Sequence, residues 1–272
     1  MNEAQHNADE LARGVYLVPD MARLTELNAP RIRRWVEGYR YKNRAGDQRR
    51  TNPLFHRERG GSERIFTFID LVEILFVKTF LDHGVSMRTI RLVQSEAAEE
   101  FKVHHPFCVK RFETDGETIL ERFNRDGREH LLDRKRRQLV NVTVFNPLIK
   151  KLDYDRVSRE AMRWWPMGKD TPIVVDPKHA FGAPSVASAA VTTATLFASF
   201  RANKSAEMVA DWFGVTLDEV RAAVRFEQSH VRQARPSRRG AWSRRYVAKA
   251  TTFGGGGFAG GYTRYIAPPM AR

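Results

Sequence analysis

The sequence lacks the features of several large classes of protein. Its 272 residues include a single cysteine, Cys108, so no disulfide can form within the chain. This cysteine usage suits a reducing compartment, and we expect a cytoplasmic protein. The residues before Arg13 are polar and do not resemble a signal peptide. The longest weakly apolar stretch, 181–200, is rich in Ala, Ser and Thr, so we expect no membrane span.

The motifs of common enzyme classes are also missing. We find no glycine-rich phosphate-binding loop and no nucleophile–base pair at a recognisable spacing. Acidic residues are scattered along the chain instead of gathered as in a metal-dependent nuclease. His104, His105 and Cys108 are close together, but three such ligands, two of them adjacent, make a poor zinc site without a fourth. We therefore expect no enzyme, no cofactor and no bound metal.

Acidic residues are absent from the C-terminal segment. Residues 231–272 contain nine Arg or Lys residues and no Asp or Glu, within a chain whose formal charge is +14. Aromatic residues are interleaved with the basic ones. Such a composition cannot bury enough apolar surface to fold alone. We expect a flexible tail that becomes ordered on nucleic acid or on an acidic protein partner; an extension without function is the alternative.

Near the N-terminus, two short helices about a four-residue turn are predicted. The first covers residues 20–24, with Asp20 as its cap, and the second opens at Pro30, where the missing N–H costs nothing. Three apolar residues share the inner face of the second helix by their spacing: Ile32, Trp35 and Val36. Its outer side then carries the arginines Arg31, Arg33 and Arg34, as in a recognition helix that meets DNA.

A basic loop over residues 40–64 follows and contains Lys42, Arg44 and Arg64. Residues 64–68 favour a strand, and a loop closed by a strand beside a helix-turn-helix forms a wing. Two helices are predicted next. The helix at 69–83 is apolar on most sides and should be central, and the helix at 87–101 is capped by Ser86.

An ordered set of residues lies within 15–101: Pro30, Arg33-Arg34-Trp35, Gly61, Arg64, Phe66, Asp70-Leu71, Gly84 and Ile90. On these residues, the segment resembles MerR-type winged helix-turn-helix domains. The loop before Arg64 is longer than in that family, Pro106 leaves no room for a long coiled-coil helix, and the metal-sensing cysteines are missing. The resemblance implies operator DNA as a partner, bound by Arg31, Arg33 and Arg34 in the recognition helix and by Lys42, Arg44 and Arg64 in the wing. A two-fold homodimer is expected for this class.

The middle of the chain is less distinctive. Two alternating runs, 107–112 and 117–123, flank Asp115-Gly116 and predict a β-hairpin. Residues 122–138 are densely charged and favour a solvated surface. Residues 140–152 are apolar, and the pattern leaves strand and helix open.

The C-terminal part contains an ordered set of short motifs. They are Asp176-Pro177, Gly182-Ala183-Pro184, Val209-Ala210, Phe213-Gly214-Val215 and Val220-Arg221-Ala222-Ala223. A capping box, Thr216 to Glu219, opens the last helix, and residues 205–227 predict a second helix-turn-helix-like pair. Over about 172–228 these motifs resemble the small prokaryotic antitoxin family known as domain of unknown function 433. Ala187-Ser188-Ala189 departs from that family's Gly-Thr-Arg, so any contact of that arginine is lost.

Genes of that family often lie beside genes of PIN-like ribonuclease toxins, and some longer members, called VapB-type, carry a MerR-like N-terminal domain. The resemblance therefore implies an antitoxin that neutralises such a toxin and represses its own operon, as a homodimer or a hetero-oligomer with the toxin. Guanidinium groups of the tail would neutralise the toxin's metal-binding carboxylates. The candidates are Arg238, Arg239, Trp242, Arg244, Arg245 and Tyr246. A stand-alone regulator, whose tail binds DNA phosphates, is the alternative.

The predicted fold class is α+β, mainly α. We expect five segments: a flexible N-terminus at 1–14, a winged helix-turn-helix domain at 15–102, a mixed α/β region with a hairpin at 103–165, a small helix-turn-helix-like domain at 166–230 and a basic tail at 231–272.

Overall fold

The computed structural model describes residues 13–43, 45–54, 65–113, 116 and 145–233. Arg44, Arg64 and the toxin-binding candidates of the tail lie outside these residues, so their predicted roles stay predictions. The same holds for the second half of the predicted hairpin in the middle region.

The described residues are mainly helical, with three small antiparallel sheets, which confirms the α+β class. The helices are α1 Val18–Thr25, α2 Ala29–Glu37, α3 Phe68–Asp82, α4 Met87–Phe101, α5 Asn146–Ile149, α6 Thr193–Asn203, α7 Ala206–Phe213 and α8 Leu217–Gln233. The strands are β1 Tyr39–Lys42, β2 Gln48–Thr51, β3 Leu152–Tyr154, β4 Ala161–Trp164, β5 Ile173–Val174 and β6 Ser185–Val186, paired as β1–β2, β3–β4 and β5–β6. Among these helices, none has the length and apolar character needed to cross a bilayer.

Helix starts follow local capping. The Ser86 hydroxyl accepts a hydrogen bond from the Thr89 N–H at 3.1 Å, as predicted. Thr67 and Asp70 form a capping box that starts α3 at Phe68. The predicted strand at 64–68 is therefore wrong in its described part: Phe66 makes one isolated bridge, to Tyr16, and the helix begins two residues later.

The start of α1 also differs from the prediction. The helix begins at Val18, two residues before Asp20. Asp20 lies at the third helical position, and its carboxylate accepts the Leu17 N–H at 2.9 Å. The carboxylate still satisfies a free N–H group at the helix start, but it reaches back from inside the first turn.

An aromatic cluster replaces the first strand of the predicted middle hairpin. Pro106–Cys108 forms a 3-10 turn, and residues 111–113 are helical. The reason is tertiary packing, because five buried phenylalanines meet here with ring centroids 4.4–6.1 Å apart: Phe76, Phe80, Phe107, Phe112 and Phe145. In the apolar stretch left open, Asn146–Ile149 is helix and Leu152–Tyr154 is strand.

Contacts distant in sequence join the N-terminal and C-terminal parts. The Tyr16 hydroxyl donates to the Gly182 carbonyl at 2.8 Å, and the Val15 N–H donates to the Phe181 carbonyl at 3.0 Å. Arg23 of α1 pairs with Glu227 of α8. The residues that the structure describes form one compact unit. The proposed domain boundaries at 102 and 165 remain predictions.

Candidate nucleic-acid interface

Helix α2 presents its arginines to solvent because its apolar residues are buried. The Asn28 side chain caps the helix by accepting the Arg31 N–H at 2.9 Å. Ile32, Trp35 and Val36 are at most 6 % exposed, as predicted from their spacing. Arg31, Arg33 and Arg34 are exposed, and the Arg31 guanidinium lies 5.3 Å from the centre of the Trp35 ring. The predicted orientation of this helix is confirmed; its contact with DNA stays a prediction.

A glycine turn joins α2 to the β1–β2 hairpin. Gly38 has φ of +70°, and a Cβ atom there would overlap the Thr51 carbonyl oxygen. The Leu54 N–H donates to the Trp35 carbonyl at 2.6 Å, and Arg91 Nη1 donates to the Pro53 carbonyl at 2.9 Å. These contacts tie the chain after β2 to helices α2 and α4, so the hairpin and α2 present a connected surface.

Asn43 organises the turn between β1 and β2. Its side-chain oxygen accepts the N–H groups of Ala45 and Asp47, and its amide nitrogen donates to the Asp47 carboxylate. Lys42 then pairs with Gln48, and Arg40 lies directly opposite Arg50. Like charges opposite each other destabilise a strand pair. This register therefore concentrates positive charge at a cost that a bound polyanion would relieve.

Two exposed tyrosines lie on the hairpin. Tyr39 and Tyr41 are 44 % and 47 % exposed, with ring centroids 6.0 Å apart. Side chains two apart on a strand share a face, and Tyr41 pairs with Arg49 across the hairpin. One face thus combines aromatic rings with Arg49, and the other carries Arg40, Lys42 and Arg50.

The charge of this surface is strongly positive. Residues 29–51 contain eight Arg or Lys residues and two acids, Glu37 and Asp47. Asp47 is already engaged by Asn43. We call the exposed basic residues of α2 and the hairpin the basic surface: Arg31, Arg33, Arg34, Arg40, Lys42, Arg49 and Arg50. Four of the six predicted DNA-binding residues belong to it, and Arg44 and Arg64 lie outside the described residues.

The sequence alone predicts a long basic loop here and does not select five residues of this surface as site residues: Arg40, Arg49, Arg50, Tyr39 and Tyr41. The sequence does contain a signal for the β1–β2 hairpin: two short runs with β-forming Tyr and Thr flank the turn-forming residues Asn43, Gly46 and Asp47.

In the C-terminal part, the buried carboxylate of Glu219 stabilises the start of α8. Glu219 closes the predicted capping box, accepting the Thr216 N–H at 2.7 Å and the Ser188 hydroxyl at 2.6 Å. Burial alone would raise the pKa of Glu219, but the Ser188 and Thr216 hydrogen bonds hold it below its ordinary value. The predicted pair of helices is observed as α7 and α8, and Asp211, Asp218, Arg221 and Arg225 are exposed on it. This mixture of signs lacks the uniform charge of the basic surface.

Comparisons with known proteins agree with the predicted antitoxin resemblance. Residues 173–226 match the family described as protein of unknown function (DUF433). The chain is 22 % identical over 226 residues to the protein named "Putative antitoxin VapB45" of Mycobacterium tuberculosis, covering 77 % of this chain and 92 % of that protein. The crystal structure of Rv2018 from Mycobacterium tuberculosis shares the fold, with a TM-score of 0.61 and 22 % identity over 77 % of this chain and 96 % of that one. These likenesses support an antitoxin-like family.

Proposed function

We propose that this protein is the antitoxin of a type II toxin–antitoxin system, and that it neutralises a PIN-like ribonuclease and represses its own operon. The toxin-binding part rests on the likeness to a protein named as an antitoxin, which extends over 77 % of the chain. The DNA-binding part rests on the basic surface. In this proposal α1 and α2 form a MerR-like helix-turn-helix, and the β1–β2 hairpin is its wing.

The observation that carries the DNA-binding proposal is the Arg40–Arg50 pair. Nothing in hairpin stability favours two guanidinium groups at opposed positions. Phosphates of a DNA backbone would neutralise both, while Arg33 and Arg34 of α2 would read base edges in the major groove. Arg31 is engaged with the Trp35 ring and is assigned a positioning role.

Fluorescence anisotropy on the protein's own promoter and on unrelated DNA tests this division of roles. We expect Arg33→Ala with Arg34→Ala to lower the preference for the promoter, since base contacts are worth about 1–3 kcal/mol each. Arg40→Ala with Arg50→Ala should weaken binding to both DNAs equally. Arg225→Ala, at an exposed position of α8, is the control and should change neither. Promoter preference that survives the α2 substitutions would contradict the assignment.

Co-expression with the PIN-like ribonuclease encoded beside the gene tests the toxin-binding part. We expect the full chain to restore growth. A chain ending at Ala234 keeps the whole of α8, which ends at Gln233, and lacks all six tail candidates. We expect it to fail. If the truncated chain neutralises fully, the tail is not the toxin-binding segment. If the full chain neutralises no ribonuclease yet binds the promoter, the protein is a stand-alone regulator.

A further inference from the structure

A small pocket lies beside strands β4, β5 and β6, away from the basic surface in sequence. Its volume is about 70 Å³. Pockets that take a whole small molecule begin at about 300 Å³, so this one has room for a single functional group. Its walls combine apolar side chains, among them Trp165 and Ala187, with the polar groups of Arg163, Asp176, His179 and Ser185.

Ser185 lines this pocket and carries an unused hydrogen-bond donor. The residue is 1 % exposed, and its hydroxyl has no partner among the residues that the structure describes. Buried hydroxyl groups are nearly always hydrogen-bonded in folded proteins. Its place is fixed by pairing with Val174 on one side and with Thr192 on the other. Backbone pairing therefore fixes Ser185 on the pocket wall, while its buried hydroxyl lacks an acceptor among the described residues.

Asp176 holds a guanidinium group on the same pocket. Its Oδ2 accepts from Arg163 Nε at 2.6 Å and contacts His179 Nδ1 at 3.1 Å, while Oδ1 accepts the Lys178 N–H at 2.9 Å. Burial alone would raise the pKa of Asp176, but these hydrogen bonds hold it below its ordinary value. Within the described part of the chain, only Nε of Arg163 has an acceptor. Its two terminal amino groups remain available.

We propose that this pocket binds one carboxylate group, with Arg163 and Ser185 as its donors. A carboxylate offers one oxygen to the guanidinium and one to the hydroxyl, and its attached carbon chain suits the apolar wall. Since Asp176 already balances the charge of Arg163, a singly charged group fits better than a doubly charged phosphate. Free organic acids and acidic side chains of a protein both carry this group. The proposal needs neither the toxin nor DNA.

Acetate is the minimal probe, and the Trp165 indole N–H is the reporter. The chain has five tryptophans, so indole signals in a nitrogen–proton correlation spectrum are few, and Trp165→Phe identifies the relevant one. We expect sodium acetate to shift this signal saturably in the millimolar range, and sodium chloride at equal ionic strength to leave it in place. Ser185→Ala and Arg163→Lys should each weaken acetate binding at least tenfold.

Ser188→Ala is the matched control, because the Ser188 hydroxyl already donates to Glu219. It should leave acetate binding unchanged. An acetate response equal to that of chloride, or wild-type acetate affinity in Ser185→Ala, would overturn the proposal. If Ser185→Ala fails to fold, the same comparison on Arg163→Lys decides.

An aspartate blocked at both its amino and carboxyl ends distinguishes the two sources of the carboxylate. If the blocked aspartate binds more tightly than acetate, the pocket takes an acidic side chain of a protein. If acetate binds more tightly, the pocket takes a free acid. Either result supports the pocket, and binding of neither probe refutes it.

Discussion

Glu227 offers the sharpest test of how the two ends of the described chain are held together. Its carboxylate is 6 % exposed and accepts from Arg23 Nη1 at 2.9 and 3.2 Å and from the Thr193 hydroxyl. Hydrogen bonds to a charged group contribute about 1.5–3 kcal/mol. Because Arg23 keeps 34 % exposure and can be rehydrated, we expect Glu227→Gln to lower the free energy of unfolding by about 2–3 kcal/mol.

Urea unfolding followed by circular dichroism measures this change. In a thermal melt, the melting temperature should fall by about 4–12 °C, at about 2–4 °C per kcal/mol for a unit of this size. Asp218→Asn is the control on the same helix, since Asp218 is 91 % exposed and pairs only loosely with Arg221 at 3.6 Å. We expect it to unfold like the wild type. Equal losses from both substitutions, or none from Glu227→Gln, would refute the idea that this buried network joins α1 to α8.

Three further predictions concern stability. Gly182→Ala places a Cβ at positive φ against the Tyr16 hydroxyl and should lower the free energy of unfolding by about 3 kcal/mol in a urea titration. Gly214 also has positive φ but faces open space, so Gly214→Ala should lower it by only about 1 kcal/mol. Burial raises the pKa of Glu73 to about 8, so the folded state keeps a proton that the unfolded chain loses near pH 4.5. The free energy of unfolding should therefore fall as pH rises from about 5 to 8, by up to about 1.4 kcal/mol per pH unit. Glu73→Gln should lack this pH dependence, and an equal dependence of unfolding free energy on pH in both proteins would contradict the prediction. Ser185→Ala should raise the unfolding free energy by about 1 kcal/mol, because it removes a buried hydroxyl without a partner, and a clear loss would show that the hydroxyl is bonded.

Locally determined features could be predicted from the sequence. The Ser86 cap and the Thr216–Glu219 capping box depend on side chains within three residues of the groups they satisfy. The buried face of α2 follows from the spacing of Ile32, Trp35 and Val36 alone. The C-terminal motifs were also specific enough to indicate the family that matches residues 173–226.

Features set by distant partners could not be predicted. The run at 107–112 alternates like a strand, but Phe107 and Phe112 pack against Phe76 and Phe145, and this contact overrides the local pattern. The strand predicted at 64–68 is a different case, because the Thr67–Asp70 capping box that starts a helix there is a local signal that the prediction did not use.

In the candidate site, too, features set by local sequence could be predicted and features set by the fold could not. The exposure of Arg33 and Arg34 was predictable from helix periodicity, whereas the Arg40–Arg50 pair depends on hairpin register. That register is set by the Asn43 turn, whose hydrogen bonds are visible only in the folded structure. The pocket at Ser185 is lined by residues of β4, β5, β6 and the segments beside them, so no single segment of the sequence predicts it.

The central claim is that the basic surface binds DNA phosphates, and the salt dependence of binding to the promoter tests it most directly. Each phosphate contact contributes about 0.9 to the slope of log affinity against log salt concentration. If Arg40 and Arg50 each contact one phosphate, replacing both by alanine should lower the magnitude of the slope by about 2, and affinity at 0.1 M salt by about 60-fold. Arg156→Ala with Arg225→Ala removes the same charge from exposed positions elsewhere and should leave the slope unchanged. Equal slopes for the wild type and the hairpin variant would contradict the claim.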